Sequence, residues 1–221
     1  MRFPVRSVPV GEAVPPGRMG YDLHAPVLLL HTIQSADAFD ELVATGRIVP
    51  DPARAEPAFA EAYGWMLDRM GARLPTRGSG ALWLWAKLPR AELVDSCRLS
   101  RNEVLLTCRI PRERVLLSDF IAWHQVLNRH PYVPPLSGES NDAFSARIDT
   151  VFDDFEDRLH AAGIRRRDEP VRSWPPALRA GVEASWESIF DLATYESGSV
   201  WQGTVHELRE ADVIDAAHLT R

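Results

Sequence analysis

Apolar residues open a regular pattern at Val27, where Val27-Leu28-Leu29-Leu30-His31-Thr32-Ile33 forms a short, nearly continuous run that reads as a buried strand. Ser35 follows as a helix N-cap, with Asp37 in the first turn and Gly46 just past the end. The stretch ADAFDELVAT is therefore predicted helical, with Phe39, Leu42 and Val43 on its apolar face. Pro50 and Pro52 interrupt, and a longer helix is expected from about Glu56. There Phe59, Ala62, Tyr63, Met66 and Met70 recur at three- and four-residue steps.

The loop Arg77-Gly78-Ser79-Gly80 precedes Ala81 to Lys87 (ALWLWAK), which is apolar on both faces, rich in tryptophan and hence a strand. Val104 to Ile110 alternates, with Val104, Leu106, Cys108 and Ile110 on one side and Thr107 and Arg109 on the other. Pro111 closes that strand. A further strand over residues 114–119 runs into a helix (FIAWHQVLN) for which Ser118 or Asp119 is the expected cap. A proline-rich loop separates it from the clearest helix in the chain, 142–162, where Phe144, Ile148, Phe152, Phe155 and Leu159 align. Residues 164–176 are a charged connector. Leu178, Val182, Trp186, Ile189 and Ala193 mark another helix, and strands over 200–207 and 213–217 end the series.

The order is strand, two helices, three strands, three helices, two strands. It repeats no unit and lacks regular strand–helix alternation, so the fold class expected is α+β: a single domain over 26–221, its central, mostly antiparallel sheet surrounded by five to six helices. Residues 1–25 carry little periodicity. Five prolines and three glycines precede residue 27, and the segment is read as an irregular extension without the apolar core of a signal peptide.

Composition narrows the function more than it names it. A 221-residue chain buries roughly 70% of its unfolded surface and needs no metal or disulfide to hold it. Its two cysteines, Cys97 and Cys108, match neither a zinc site nor a disulfide scaffold, so no metal is expected and a reducing cytoplasm is the simplest compartment. A net charge of −6 argues against general nucleic-acid binding. No run approaches the ~20 apolar residues that span a bilayer, so no membrane partner is expected. Signatures of P-loops, nucleophile elbows, dinucleotide folds and zinc proteases are absent. The oligomeric state is left open.

The segments LLLHTIQ (28–34), FAEAYGWMLDRM (59–70), ALWLWAK (81–87), VLLTCRIPRERVLLSDFIAWHQVLN (104–128), SWESIFDL (185–192) and VWQGTVHELREADVI (200–214) resemble an uncharacterised bacterial family, domain of unknown function 3841. The resemblance covers nearly all of 27–215 and brings no activity with it.

A second similarity is functional in content. His31 on the first strand, Trp83 and Trp85 on the second and Gln202 on a late one are similar to the ADP-ribosyltransferase superfamily, as is the strand–helix–glycine opening HTIQSADAFDELVATGRI. That resemblance implies NAD, or another small-molecule nucleotide, as ligand. His31 would hold the ribose and an indole would stack on nicotinamide, and a late-strand glutamate would act on a ribose hydroxyl. An oxocarbenium-like centre needs a carboxylate beside it and an aromatic wall against the leaving base. This chain has Gln202 at the late position. Glu207 is five residues further and on the other strand face, so the chain departs from the pattern at the carboxylate that NAD-dependent transfer requires. The cleft would be lined by His31, Trp83, Trp85, Arg109 and Gln202. The bland alternative makes His31 a hydrogen-bonded core residue and the tryptophans core filler in a non-enzymatic interaction module.

Three other groupings each carry a functional and a structural reading. Asp119, Trp123 and His124 could form a carboxylate-oriented general base with a flanking indole, or a plain helix cap with its first turns. Glu187 and Asp191, four apart, would share a helix face and could bind a cation or form an acid–base pair, or simply be solvated. Arg165, Arg166 and Arg167 with Trp174 could contact phosphate and a base, or belong to a solvated connector.

Overall fold

A computed structural model describes residues 3–14, 22–100, 103–165, 169–194 and 199–220. The chain groups into two compact units: Met1–Ala55 with Trp65–Leu117 and Gly198–Arg221, and Glu56–Gly64 with Ser118–Ser197.

The strands are β1 (Val5–Pro9), β2 (Val27–Ser35), β3 (Arg47–Ile48), β4 (Leu82–Lys87), β5 (Glu103–Pro111), β6 (Leu116–Asp119), β7 (Trp201–Val205), β8 (Leu208–Arg209) and β9 (Val213–Thr220). The helices are α1 (Val10–Ala13), α2 (Ala36–Thr45), α3 (Ala60–Arg73), α4 (Arg90–Leu99), α5 (Phe120–Leu127), α6 (Asn141–Ala161) and α7 (Pro176–Trp186), seven among the described residues. One open seven-stranded sheet runs in the order β1-β9-β5-β2-β4-β7-β6, and β3 pairs with β8 separately. The β2–β4, β2–β5, β4–β7 and β5–β9 ladders are antiparallel and β1–β9 is parallel. The fold is α+β.

Local chemistry explains the element boundaries. Ser35 Oγ accepts the Ala38 N–H to start α2, and Gly46 ends it at φ 79°, a left-handed conformation that glycine adopts without Cβ strain. Asp119 Oδ1 accepts from Ala122 N at 2.8 Å and caps α5. The helix expected from Glu56 begins instead at Ala60. Two 3₁₀ turns, Pro52–Arg54 and Pro57–Phe59, come first because each proline favours a new N-terminus over continuation. The helix expected to reach Ala193 stops at Trp186 and gives way to 3₁₀ turns at Glu187–Phe190 and Leu192–Thr194.

Three elements, β1, α1 and α4, escape the apolar periodicity altogether. Residues 1–25, expected to be irregular, include β1 and α1. Val5 through Pro9 pair residue by residue with Ala216 through Thr220, and Phe3 is buried. An edge strand with a half-exposed pattern and prolines on either side has no strong signal of its own. What holds it is the unpaired edge of β9. Helix α4 lies between two strands expected to follow one another. Its Leu93, Val94 and Cys97 join Leu105 of β5, Ala217 of β9 and Ala13 of α1 in a buried cluster, against which Ile33 and Trp85 pack.

In the second unit, α5, α6 and α7 supply Trp123, Val126, Phe155, Leu159, Leu178, Val182 and Trp186 to the interior. Trp186 Nε1 donates to His130 O at 2.6 Å. Tyr63 meets Trp123 edge-on at 6.1 Å. The Glu61 carboxylate accepts the N–H groups of Val171 and Arg172, both at 2.8 Å, and so anchors the connector after α6.

Candidate functional site

In the antiparallel ladders, residues directly opposite one another project to the same face. On β2, Leu28, Leu30 and Thr32 pair with Ile110, Cys108 and Leu106 of β5. Leu82 and Leu84 of β4 pair with Val205 and Gly203 of β7. Apart from Thr32, whose Oγ1 donates to Trp83 O at 2.9 Å, these residues make one apolar face. It is so close-packed that a Cβ on Gly203 would fall 2.5 Å from Val115 Cγ1.

The other face is chemically different. His31 pairs with Thr107 of β5 on one side and Trp85 of β4 on the other, and Trp85 pairs with Gln202 of β7. Thr107 in turn pairs with Asp215 of β9. The result is one row across five strands: Asp215, Thr107, His31, Trp85, Gln202. Neighbouring Cα atoms in such a row are about 4.5–5.5 Å apart. Trp83, opposite Thr204, and Arg109, opposite Leu29, occupy the same face one step along their strands.

Burial varies sharply within this row. His31 is 2% exposed and Gln202 4%, while Trp83 and Trp85 are only half-buried and Arg109 is exposed. The five other tryptophans, Trp65, Trp123, Trp174, Trp186 and Trp201, are all buried. The expected cleft is thus corrected in one respect: the imidazole of His31 does not open to solvent. Ile33 and Trp85, its neighbours along and across the strands, tie it into the cluster beneath α4. Burial lowers its pKa to about 4, so the ring is neutral at pH 7. Its Nδ1 is 3.3 Å from Thr107 Oγ1, and its buried Nε2 has no hydrogen-bond partner among the described residues.

At the far end of the row, Asp215 is held by Arg6 of β1, with Nε to Oδ1 at 3.0 Å and Nη2 to Oδ2 at 2.5 Å. Thr107 and Asp215 were invisible as site residues in the sequence. A threonine in an alternating strand is unremarkable until pairing shows which side chain it faces.

The remaining expected residues belong to the second unit. Asp119 acts as the α5 cap, and Trp123 is buried against Tyr63. His124 is exposed, and its Nδ1 lies 2.8 Å from Phe120 O, a contact along its own helix, so of the two readings of this grouping the geometry matches the helix cap and not the carboxylate-oriented base. Glu187 begins a 3₁₀ turn and Asp191 lies beyond its end, so the two carboxylates do not share an α-helical face. Trp174 is buried and unavailable for base stacking, and Arg166 and Arg167 lie outside the described residues. Cys108 is buried and its thiol is pushed well above the ordinary range by desolvation, as expected for a structural cysteine.

No group of His, Cys, Asp and Glu among the described residues could hold a metal ion. No helix among them is long and apolar enough to cross a membrane. A surface depression of about 470 Å³ is lined by Gly46, Arg47, Glu207, Arg209, Glu210 and Ala211, none of them from the row.

The class that emerges is an α+β protein with an open, mostly antiparallel sheet and a row of polar and aromatic side chains across one of its faces. The chain belongs to the family described as a domain of unknown function, DUF3841, whose model matches residues 29–214. No curated protein and no solved structure matches it.

Proposed function

We propose that this chain binds NAD, or a nucleotide like it, against the His31–Trp85–Gln202 row in the manner of an ADP-ribosyltransferase-like domain, and that it binds without transferring. The alignment of those three residues on adjacent strands carries the reading. Trp83 and Trp85, the two indoles not consigned to the interior, supply a flat apolar wall for a ring. Arg109 on the same face offers a fixed positive charge suited to a phosphate. His31, neutral at pH 7 and closed to solvent, would act toward a ribose oxygen as a hydrogen-bonding group and not as a cation, and only where the ligand displaces the side chains that cover it. Gln202 stands where transfer chemistry needs a carboxylate. Its amide can orient a hydroxyl but cannot stabilise a developing positive centre by charge. The competing reading, an interaction module with its tryptophans in the core, accounts for the five buried indoles and for the packing of Trp85 against the α4 cluster, but not for the half-buried position of both β4 indoles beside Arg109.

The test is a titration of NAD followed by indole fluorescence and calorimetry, with radiolabelled NAD in parallel. Saturable quenching is expected, weakened tenfold or more in Trp85→Ala. Ligand at 100 times its dissociation constant should also add ~2.7 kcal/mol to unfolding stability. Label should stay on NAD. No binding at millimolar NAD would sink the proposal, and label transfer by the wild-type chain would refute its non-catalytic half.

A further inference from the structure

Buried polar atoms in folded proteins are almost always paired, so the orphan at His31 calls for a cause. Thr107 Oγ1 and His31 Nδ1 are 3.3 Å apart, and both residues are buried. Two proton placements are open to this pair. In the first, the imidazole carries its proton on Nδ1 and donates to the threonine oxygen. The threonine O–H then has no acceptor, and Nε2 is a bare buried lone pair, which leaves two groups unsatisfied. In the second, the threonine O–H donates to Nδ1 and the ring proton resides on Nε2. Only the Nε2–H is then unsatisfied. Since each buried unpaired group is costly, the second arrangement wins by one group.

We infer that Thr107 is a positioning residue: its hydroxyl locks His31 into the Nε2–H tautomer and so keeps a single, fixed hydrogen-bond donor buried within the sheet face that carries Trp83 and Trp85, available to a ligand that displaces its cover. The complementary ligand group is an uncharged acceptor oxygen, a hydroxyl or carbonyl, attached to a ring that stacks on an indole. This rests on the nucleotide-binding reading and adds to it the polarity of one contact: the protein donates and the ligand accepts. The donor's neutrality also favours an uncharged acceptor over a phosphate, which leaves any phosphate to Arg109.

Long-range ¹H–¹⁵N correlation spectra of the full chain, with the His31 signals assigned by their loss in His31→Gln, read the tautomer without any ligand. The wild type should show Nε2 protonated and Nδ1 bare. Thr107→Val, nearly the same shape, should shift His31 to a mixture, and Thr107→Ser should restore the wild-type pattern. NAD affinity should fall about tenfold in Thr107→Val, equivalent to ~1.4 kcal/mol, and recover in Thr107→Ser. A wild-type ring protonated on Nδ1, or a tautomer unchanged by Thr107→Val, overturns the assignment. The Nε2–H pattern with no NAD binding upholds Thr107 as the positioning residue and tells against the nucleotide reading instead. The same spectra show whether each variant is folded.

Discussion

The two faces of one sheet, built from the same strands, do different things. Toward one side, β2, β5, β4 and β7 turn Leu28, Leu30, Leu106, Cys108, Ile110, Leu82, Leu84 and Val205, every one of them buried and apolar. Toward the other they turn His31, Thr107, Trp85, Gln202 and, with β9, Asp215, beside Ile33, Leu105 and Ala217, which pack with α4. Residues adjacent in sequence, such as Leu30 and His31, therefore belong to different regions of the molecule. The first face is organised to fill space. The second holds buried polar groups at a cost in stability, which is the usual mark of a surface kept for something other than packing.

The comparison predicts different responses to substitution. The largest effect should come from Leu30→Ala. That side chain is fully buried, and its truncation should lower unfolding stability by about 2–5 kcal/mol in urea denaturation. A loss below about 1 kcal/mol would mean that the packed face is not packed.

Next is the pH response of the polar face. His31 titrates at about 4 when folded, below its ordinary 6.5, so the unfolded chain binds a proton that the native state does not. Its contribution is fully present above pH 6.5 and is lost as pH falls toward 4. Relative to a His31→Leu/Thr107→Val double variant, the wild type should lose about 3 kcal/mol across that window. Parallel pH curves for the two proteins would show that the imidazole is accessible to protons and not desolvated.

Gly203→Ala should cost about 1–3 kcal/mol, because the new Cβ meets Val115 Cγ1 at 2.5 Å on the packed face. The smallest effect should be that of the double variant itself at pH 7. It removes both members of the buried pair together and should change stability by no more than about 1 kcal/mol, in either direction. A loss as large as that of Leu30→Ala would make His31 and Thr107 structural after all.

Most of the packed face is legible in the chain. The alternation of Val104, Leu106, Cys108 and Ile110 predicts β5 and one of its buried sides, though Leu105 and Thr107 of the other side are buried as well, and Ser35, Gly46 and Asp119 mark helix ends that form where they are expected. The polar row is legible only in part. His31, Trp85 and Gln202 can be picked out as unusual residues in strands, yet their spacing in sequence, 54 and 117 positions, carries no information on register. Thr107 and Asp215 carry no signal at all until β2, β5 and β9 are laid side by side. The acid sought near the late strand illustrates the limit. Glu207 is nearest in sequence, but the carboxylate that enters the row is Asp215, already held by Arg6 from a segment read as irregular.

Local chemistry alone settled the α+β class and the helix caps, because those depend on neighbours within a few residues. Which side chains meet is a different matter. Strand order, register, the attachment of β1 to the edge of β9 and the burial of His31 arise from pairings between residues tens to hundreds of positions apart, and a one-residue slip in any ladder would turn a different set of side chains to each face. Long-range backbone hydrogen bonding made that choice, and with it gave the buried imidazole its hydroxyl partner.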